Sequence, residues 1–575
     1  MIATKFIYTE WPIRKISCLL IGCWIFWFFP SLVWSKDLLQ VKQWKAVDSL
    51  FTEFDSGTPG AAVGIYQDGI PIYEKGYGMA RLESASPIMP STIFRIASVS
   101  KQFTAFAVLL LAYEGKLNLD DDIRSYLPYV PDFGRKMSIR HLVFHTSGFR
   151  DYDSLLHFSG LSGSSIITQN SALELIKHQN TINFNPGSEF AYNNTGYVLL
   201  AEVVKTVSGE SLREFADKRI FKPLQMHHTK FSDDMLEVVG GTADSYALND
   251  SGKWGRGILN QESVGATGVR TTIQDMAKWV NNFTHARVGG EILLNEFIQP
   301  GRLDDGVPIA YGFGLYRMNW LGRDALMHTG SEGKFTSIFV HFPKENFSIV
   351  ILANTPAKGL HRAREISEIY LGKDVEPSIS SFAVPEKIAR PTKQVEKFSG
   401  LFAFEDHLLR LEYRAEVLFL VQSGKEAEVI FRADETLDIG DENRFHGDFY
   451  IPSFDSNGVV IELKAGKPAD TGQHLRYRRV ESIDPEKIDL NPYVGRYWSS
   501  ELDASFFVYL EGGRLLARSL RSSKSIALAP MYLDAFSGGS WMFSHVFFEK
   551  IHGSNANAML LTNRRARNVR FERVP

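Results

Sequence analysis

Small and apolar residues alternate from Gly60 to Gln67, Asp68-Gly69 follows, and a second extended run continues from Ile70 to Gly78. Two such runs joined by Asp-Gly predict an antiparallel hairpin closed by a type I′ turn. The period then becomes helical over Val99 to Glu114, Thr195 to Val207, Ser211 to Ile220 and Thr272 to Asn282, the last opened by Thr272 and Asp275 as a capping box. Strand patterns rich in Phe, Ile and Val return at Tyr311 to Trp320, Ala325 to Gly330, Phe335 to Phe342 and Phe347 to Asn354. Strands at both ends with helices between predict an α+β domain: an antiparallel sheet flanked by helices, its first and last strands meeting, with no alternating βαβ units.

After about residue 370 the texture changes. Pro377, Pro385 and Pro391 stand in a Ser- and Lys-containing stretch, which places a linker at residues 373–395. Beyond it the chain repeats itself. Phe398-Ser399-Gly400-Leu401-Phe402 is echoed by Tyr493-Val494-Gly495-Arg496-Tyr497, and His474 to Val480 by Asn568 to Val574, both at one spacing of about 95 residues. Each unit reads as short alternating strands, such as Leu409 to Val421 and Phe506 to Arg518, which predicts two small antiparallel β-barrel domains at residues 396–482 and 491–575.

At the other end Lys5, Arg14 and Lys15 precede an apolar run from Ile16 to Trp34, with Val33-Trp34-Ser35 as a small-residue cleavage site. Residues 1–35 therefore read as an export signal or, uncleaved, as an N-terminal anchor. Leu20-Ile21-Gly22-Cys23 also resembles a lipoprotein box. In each case residues 36–372 form a catalytic domain delivered across the membrane, to a periplasmic or extracellular location, free or anchored. The 575 residues suit several folding units at about 150 residues per domain. A formal net charge of −3 leaves no global basic field for a nucleic acid. Both cysteines, Cys18 and Cys23, fall in the leader, so the remainder has no disulfide and no thiolate metal site.

Gly-x-Ser-x-Gly, His-Glu-x-x-His and Walker loops are missing from the sequence. Ser98-Val99-Ser100-Lys101 opens the apolar helix containing Phe103, Phe106, Leu110 and Leu111. Residues three apart share a helix face, so Ser98 Oγ and Lys101 Nζ can meet. Serine needs a base, and a lysine in a packed interior near a helix N-terminus has its charged form disfavoured and can accept a proton. Alone that spacing is weak. Further along, Phe190 to Tyr197 supplies Tyr192-Asn193-Asn194 in a polar turn before a helix, and Ala325 to Ser331 supplies His328-Thr329-Gly330 on a strand.

Ser-x-x-Lys, Tyr-x-Asn and His-x-Gly in that order resemble the signature of the serine penicillin-recognising enzymes: class C β-lactamases, D,D-peptidases, related esterases and D-aminopeptidases. Phe144 to Phe149, Gly265 to Val269, Tyr311 to Leu315 and Ala353-Asn354-Thr355 extend the resemblance over roughly residues 45–370. The resemblance implies Ser98 as acylated nucleophile, Lys101 as its proton acceptor, and Tyr192 as a phenol or phenolate passing the proton to the leaving group. It implies that Asn194 holds the substrate amide and the lysine, that His328, Gly330 and Ser331 line the substrate site, and that the N–H groups of Ser98 and Ser331 form an oxyanion hole. No metal and no cofactor are expected.

His328 departs from the lysine common in lactamases and D,D-peptidases. An imidazole is mostly neutral at pH 7, so it offers no fixed cation to a substrate carboxylate. His-x-Gly and tandem C-terminal barrels resemble the D-aminopeptidase and esterase branches, in the former of which a barrel loop reaches the cleft; Asp534 to Met542 has the composition for such a loop. His145 reads as structural. The resulting expectation is an exported serine hydrolase acting on a small amide or ester such as a D-residue-containing peptide. The alternatives are a D,D-carboxypeptidase or β-lactamase, and a non-turning-over penicillin-binding sensor or wall-binding protein. Its partner is a small peptide, ester or β-lactam substrate; nothing in the sequence speaks to oligomeric state.

Overall fold

The computed structural model describes residues 29–161, 165–372, 395–404, 407–422, 425–432, 436–438, 449–466, 475–551 and 554–575. The leader up to residue 28, with Cys18, Cys23 and the lipoprotein-like box, and the linker 373–394 lie outside the described residues.

Helix α1 (Phe29–Ser49) leads into β1 (Ala61–Gln67) and β2 (Ile70–Tyr77). Asp68 and Gly69 between them have φ of 53° and 72°, the two left-handed positions a type I′ turn needs. The helical layer follows, with α2 (Lys101–Tyr113), α3 (Tyr152–Phe158), α4 (Thr195–Ser208) and α5 (Ile273–His285). Strands β3 (Pro300–Arg302), β4 (Pro308–Gly312), β5 (Tyr316–Trp320), β6 (Arg323–Glu332), β7 (Phe335–Phe342) and β8 (Phe347–Ala353) then complete the sheet, and α6 (Gly359–Leu371) closes the domain. The order is β3-β4-β5-β6-β7-β8-β1-β2, with antiparallel neighbours throughout. First and last strands meet as expected, Ala61 opposite Ala353 and Gln67 opposite Phe347.

The alternation of β1 sends Ala62 and Tyr66 into the helical core, and Ala61, Val63 and Ile65 into a second core shared with Val47 and Ile366. Helix α2 is buried from Lys101 through Leu111, and a helix apolar all round belongs at a domain's centre. Phe103 and Phe106 meet Trp279 of α5 at ring distances of 4.7 and 5.2 Å. Each such buried side chain contributes about 1.5–3 kcal/mol, so the helix that begins at Lys101, directly after the candidate nucleophile's turn, has little freedom to move.

Three local expectations change. The run Tyr311 to Trp320 is two strands broken at Phe313-Gly314-Leu315, where Gly314, at φ 79°, passes so near α2 that a Cβ would lie 2.5 Å from Gln102 N. The helix expected to Ile220 is α-helical only over Leu212–Ala216 and widens to a π turn over Asp217–Phe221. The capping box of α5 is half formed: Thr272 caps Asp275 N, while the Asp275 carboxylate is taken by His228 N and Thr229 Oγ1.

The first C-terminal unit is a nine-stranded antiparallel sheet whose edge strands, Lys425–Glu428 and Ile430–Phe431, are consecutive in sequence, a nearly closed barrel. The second closes fully with eight strands, Arg496 opposite Val574. The echoed residues have one physical role in both. Arg479 donates to Ser399 O and Lys397 O, Arg573 to Val494 O and Pro492 O, and each guanidinium packs against the echoed glycine, Gly400 or Gly495, where a Cβ would lie 2.1 Å from Arg479 Nη1 or 3.0 Å from Arg573 Nε.

The second barrel docks on α3. Leu155 and Phe158 belong to its apolar cluster, and Arg150 Nη1 meets the Glu501 carboxylate at 2.8 and 2.9 Å, both side chains buried. The Asp534-to-Met542 segment divides: Phe536 is fully buried in the barrel, because Ala535–Ser537 is one of its strands, while Trp541 is exposed with its ring 5.5 Å from the Arg565 guanidinium. Phe543 packs on Phe158 at a ring distance of 5.7 Å, and a second hairpin, joining β9 (Ala556–Asn563) to β10 (Ala566–Val574), also reaches the catalytic domain. Arg565 O accepts from Asp151 N and Asn183 Nδ2, both at 2.9 Å.

Candidate active site

Ser98 lies in a 3₁₀ turn, Ala97–Ser100, immediately before α2. Ala97 has φ 47°, a left-handed conformation that costs a residue with a Cβ about 1–2 kcal/mol. Strands β7 and β6 hold the turn there. Ser337 Oγ donates to Ile96 O at 2.7 Å, and Gly330 comes so near that a Cβ on it would sit 2.4 Å from Ile96 O and 3.0 Å from Ala97 Cβ. Glycine at 330 thus lets strand and nucleophile turn approach.

Lys101, the first residue of α2, is fully buried, and its Nζ has three neighbours: Asn194 Oδ1 at 2.8 Å, Ala266 O at 2.9 Å and Ser98 Oγ at 3.3 Å. Two are acceptors only, so in the neutral amine they take both N–H groups and the lone pair faces Ser98. Burial, and then the charge of Arg565, pull the Lys101 pKa down to about 7, while Asp151, Asp153 and Glu332 oppose the shift. A lysine so placed can accept the Ser98 proton near neutral pH.

Asn194 precedes α4. Its N–H donates to Asp151 Oδ2 and its Nδ2 to Asp153 Oδ2 at 2.8 Å, so the amide is fixed with Oδ1 toward Lys101. Asn194 thus holds the lysine through Oδ1, while its side-chain NH2 group donates to Asp153. Burial, followed by the neighbouring Asp151, raises the Asp153 pKa, while Arg565, Asn194 and Lys101 lower it.

Tyr192 lies beside this pair, its ring 4.8 Å from Lys101 Nζ and 4.4 Å from the His145 ring. Its hydroxyl adjoins Ser98 and has no hydrogen bond of good geometry among the described residues. Burial first, then Tyr316, push its pKa well above 10. Both influences favour the phenol form over the phenolate. His145, at φ 58° behind Tyr192, accepts from Asn193 N through Nδ1 at 3.3 Å, and its O accepts from Ala191 N, which shapes the Tyr192 turn.

On β6, His328 is 2% exposed, with Nδ1 2.6 Å from Thr329 O and Nε2 3.2 Å from the Tyr311 hydroxyl. Those partners fit a neutral ring that donates from Nδ1 and accepts at Nε2. Burial and then Lys101 lower its pKa to about 3, so no cation stands there. Ser331 is exposed beyond Met327, the last residue of β6 paired with β5, which leaves that strand edge open toward the cleft. The fold thus brings Ser98, Lys101, Tyr192 and Asn194 together, with His328, Gly330 and Ser331 on the adjoining strand. Among the described residues no cluster of His, Cys, Asp and Glu is arranged to hold a metal.

The Beta-lactamase family profile matches residues 47–371, more than half of the chain. The chain belongs to the beta-lactamase family. It is a serine hydrolase with D-aminopeptidase relatives. The D-aminopeptidase of Gluconobacter oxydans is 26% identical over 537 residues, covering 92% of this chain and 98% of its own length. That of Brucella anthropi is 26% identical over 465 residues, 80% of this chain and 82% of its own. The solved structure of SurE shares the fold at a TM-score of 0.53 and 21% identity, covering 77% of this chain and 100% of that one.

Sequence reasoning missed Asp151, Asp153 and Arg565. The two acids stand as Asp-x-Asp just after the Phe144-to-Phe149 stretch, a signal that could have been read. Arg565 carries none, because its place depends on how a barrel docks.

Proposed function

We propose that this beta-lactamase family member is an exported hydrolase of short peptides carrying a D-residue, working through an acyl-enzyme on Ser98. The observation that carries the reading is the pairing of Ser98 with a buried Lys101 whose two N–H groups have fixed acceptors and whose pKa is about 7. In this reading Ser98 Oγ attacks the carbonyl carbon as its proton passes to Lys101 Nζ, and the N–H groups of Ser98 and Ser331 receive the oxyanion. The Tyr192 phenol relays a proton to the departing amine, and water then releases the acyl group. The D-residue preference is supported by the similarity to D-aminopeptidases over nearly the whole chain, barrels included. Export to the periplasm or cell exterior is supported by the cationic flank and apolar run before Lys36. No helix among the described residues is long and apolar enough to cross a membrane.

Intact-mass spectrometry after exposure to a fluorophosphonate and to penicillin, followed by a panel of D- and L-amino-acid amides, D-Ala-D-Ala peptides and short esters, tests this. Expected are a fluorophosphonate adduct at Ser98, its loss in Ser98→Ala with an unchanged unfolding profile, and turnover of D-amides or D-peptides over L-amides. Labelling at another serine sinks the mechanism. A stable adduct with no turnover of any substrate returns the sensor reading, and hydrolysis of penicillin in preference to every D-amide returns the β-lactamase one.

A further inference from the structure

The hairpin between β9 and β10 brings an arginine into the cleft under unusual terms. Its backbone is fixed at both faces, Arg565 N on Asn563 Oδ1 at 2.9 Å and Arg565 O under Asp151 N and Asn183 Nδ2. The guanidinium is half-buried and lies 5.0 Å from the Tyr192 ring and 5.5 Å from the Trp541 ring. Its charge is felt at Lys101, Asp153, Tyr192 and Tyr316. Neighbouring arginines at the same interface are paired, Arg150 with Glu501 and Arg567 with Glu189 at 3.1 Å. Arg565 has no side-chain hydrogen bond or ion pair among the described residues.

A cation held beside a lysine that must lose its proton, braced by two aromatic faces and with no protein carboxylate in contact among the described residues, is arranged for an anion that arrives with the ligand. The position that carries a lysine in much of the family is here a neutral, buried His328, so the first domain alone supplies no fixed cation on β6. We propose that Arg565, delivered by the second barrel, is the receptor for a carboxylate on the substrate. The inference rests on the hydrolase reading above and narrows its substrates to short peptides that carry a free carboxylate.

The full chain is compared as wild type, Arg565→Ala and Arg565→Lys at pH 9, where Lys101 is neutral, on three substrates. D-alanyl-D-alanine has its carboxylate on the leaving group, D-glutamic acid α-amide has it on the acyl side, and D-alanine amide has none. Arg565→Ala should lower kcat/KM for a carboxylate substrate relative to D-alanine amide by about 30-fold or more, mainly through KM, and Arg565→Lys should recover part of it by restoring charge without the planar fork. Whichever carboxylate substrate loses the advantage identifies the side of the scissile bond that Arg565 reads. An equal loss on all three substrates reveals a merely structural hairpin and overturns the inference, as does an unchanged ratio. If Ser98 takes the fluorophosphonate but the wild type prefers neither carboxylate substrate, or hydrolyses none of the three, the inference falls and the acylating site stands. If Ser98 does not label, both fall.

Discussion

The rate at which Ser98 takes a neutral fluorophosphonate should follow the deprotonation of Lys101, and the structure sets the scale. With a pKa of about 7 the amine is half neutral at pH 7 and about one-tenth neutral at pH 6. A lysine at its ordinary pKa of about 10.4 would be neutral in only about 0.04% of molecules at pH 7, so its surroundings raise the competent fraction roughly a thousandfold. Burial is the larger cause and the Arg565 charge the next. The second-order labelling rate, followed by stopped flow at constant ionic strength, should therefore rise about tenfold per pH unit below 6 and level off above 8. In Arg565→Ala the limb should move to higher pH, because removing a nearby cation stabilises the protonated lysine. His328, with a pKa of about 3, and Tyr192, held far above its usual range, contribute no limb between pH 5 and 9. Asp153, raised by burial, is separated by Asp153→Asn, in which the limb must persist. A rate still climbing tenfold per unit through pH 9, a flat profile, or a shift to lower pH in Arg565→Ala would refute Lys101 as the base tuned by its surroundings.

Two further changes probe the scaffold. Gly330→Ala drives a methyl group onto Ile96 O and Ala97, so stability should fall by about 1–3 kcal/mol and Ser98 labelling at least tenfold; full labelling at wild-type stability would show that the turn yields freely. Arg150→Met strands the buried Glu501 carboxylate at the interface, and the denaturation transition reported by Trp498 and Trp541 of the second barrel should lose about 3–5 kcal/mol; an unchanged transition would mean that apolar contacts alone hold the barrel.

The sequence by itself determined the elements whose physics is local or repetitive. The turn at Asp68-Gly69 needs two left-handed residues, β7 is a run rich in Phe, Ile and Val recovered with its ends intact, and helix α2 announces itself by a solid apolar pattern. Ser98 and Lys101 were legible for the same reason, since three residues on one helix end have a fixed separation. The barrel duplication was legible because Gly400 with Arg479, and Gly495 with Arg573, repeat one local arrangement in which the arginine packs on the glycine and binds backbone carbonyls beside it. Tertiary structure decided the rest. Whether Lys101 is a base depends on what excludes water and where Asn194 Oδ1 and Ala266 O stand, 93 and 165 residues away in sequence. The break at Gly314 exists only because α2 passes there. Arg565, 464 positions beyond Lys101, has no motif, and its electrostatic hold on the lysine arises from the docking of one rigid unit on another, which no local pattern of hydrophobic and polar residues encodes.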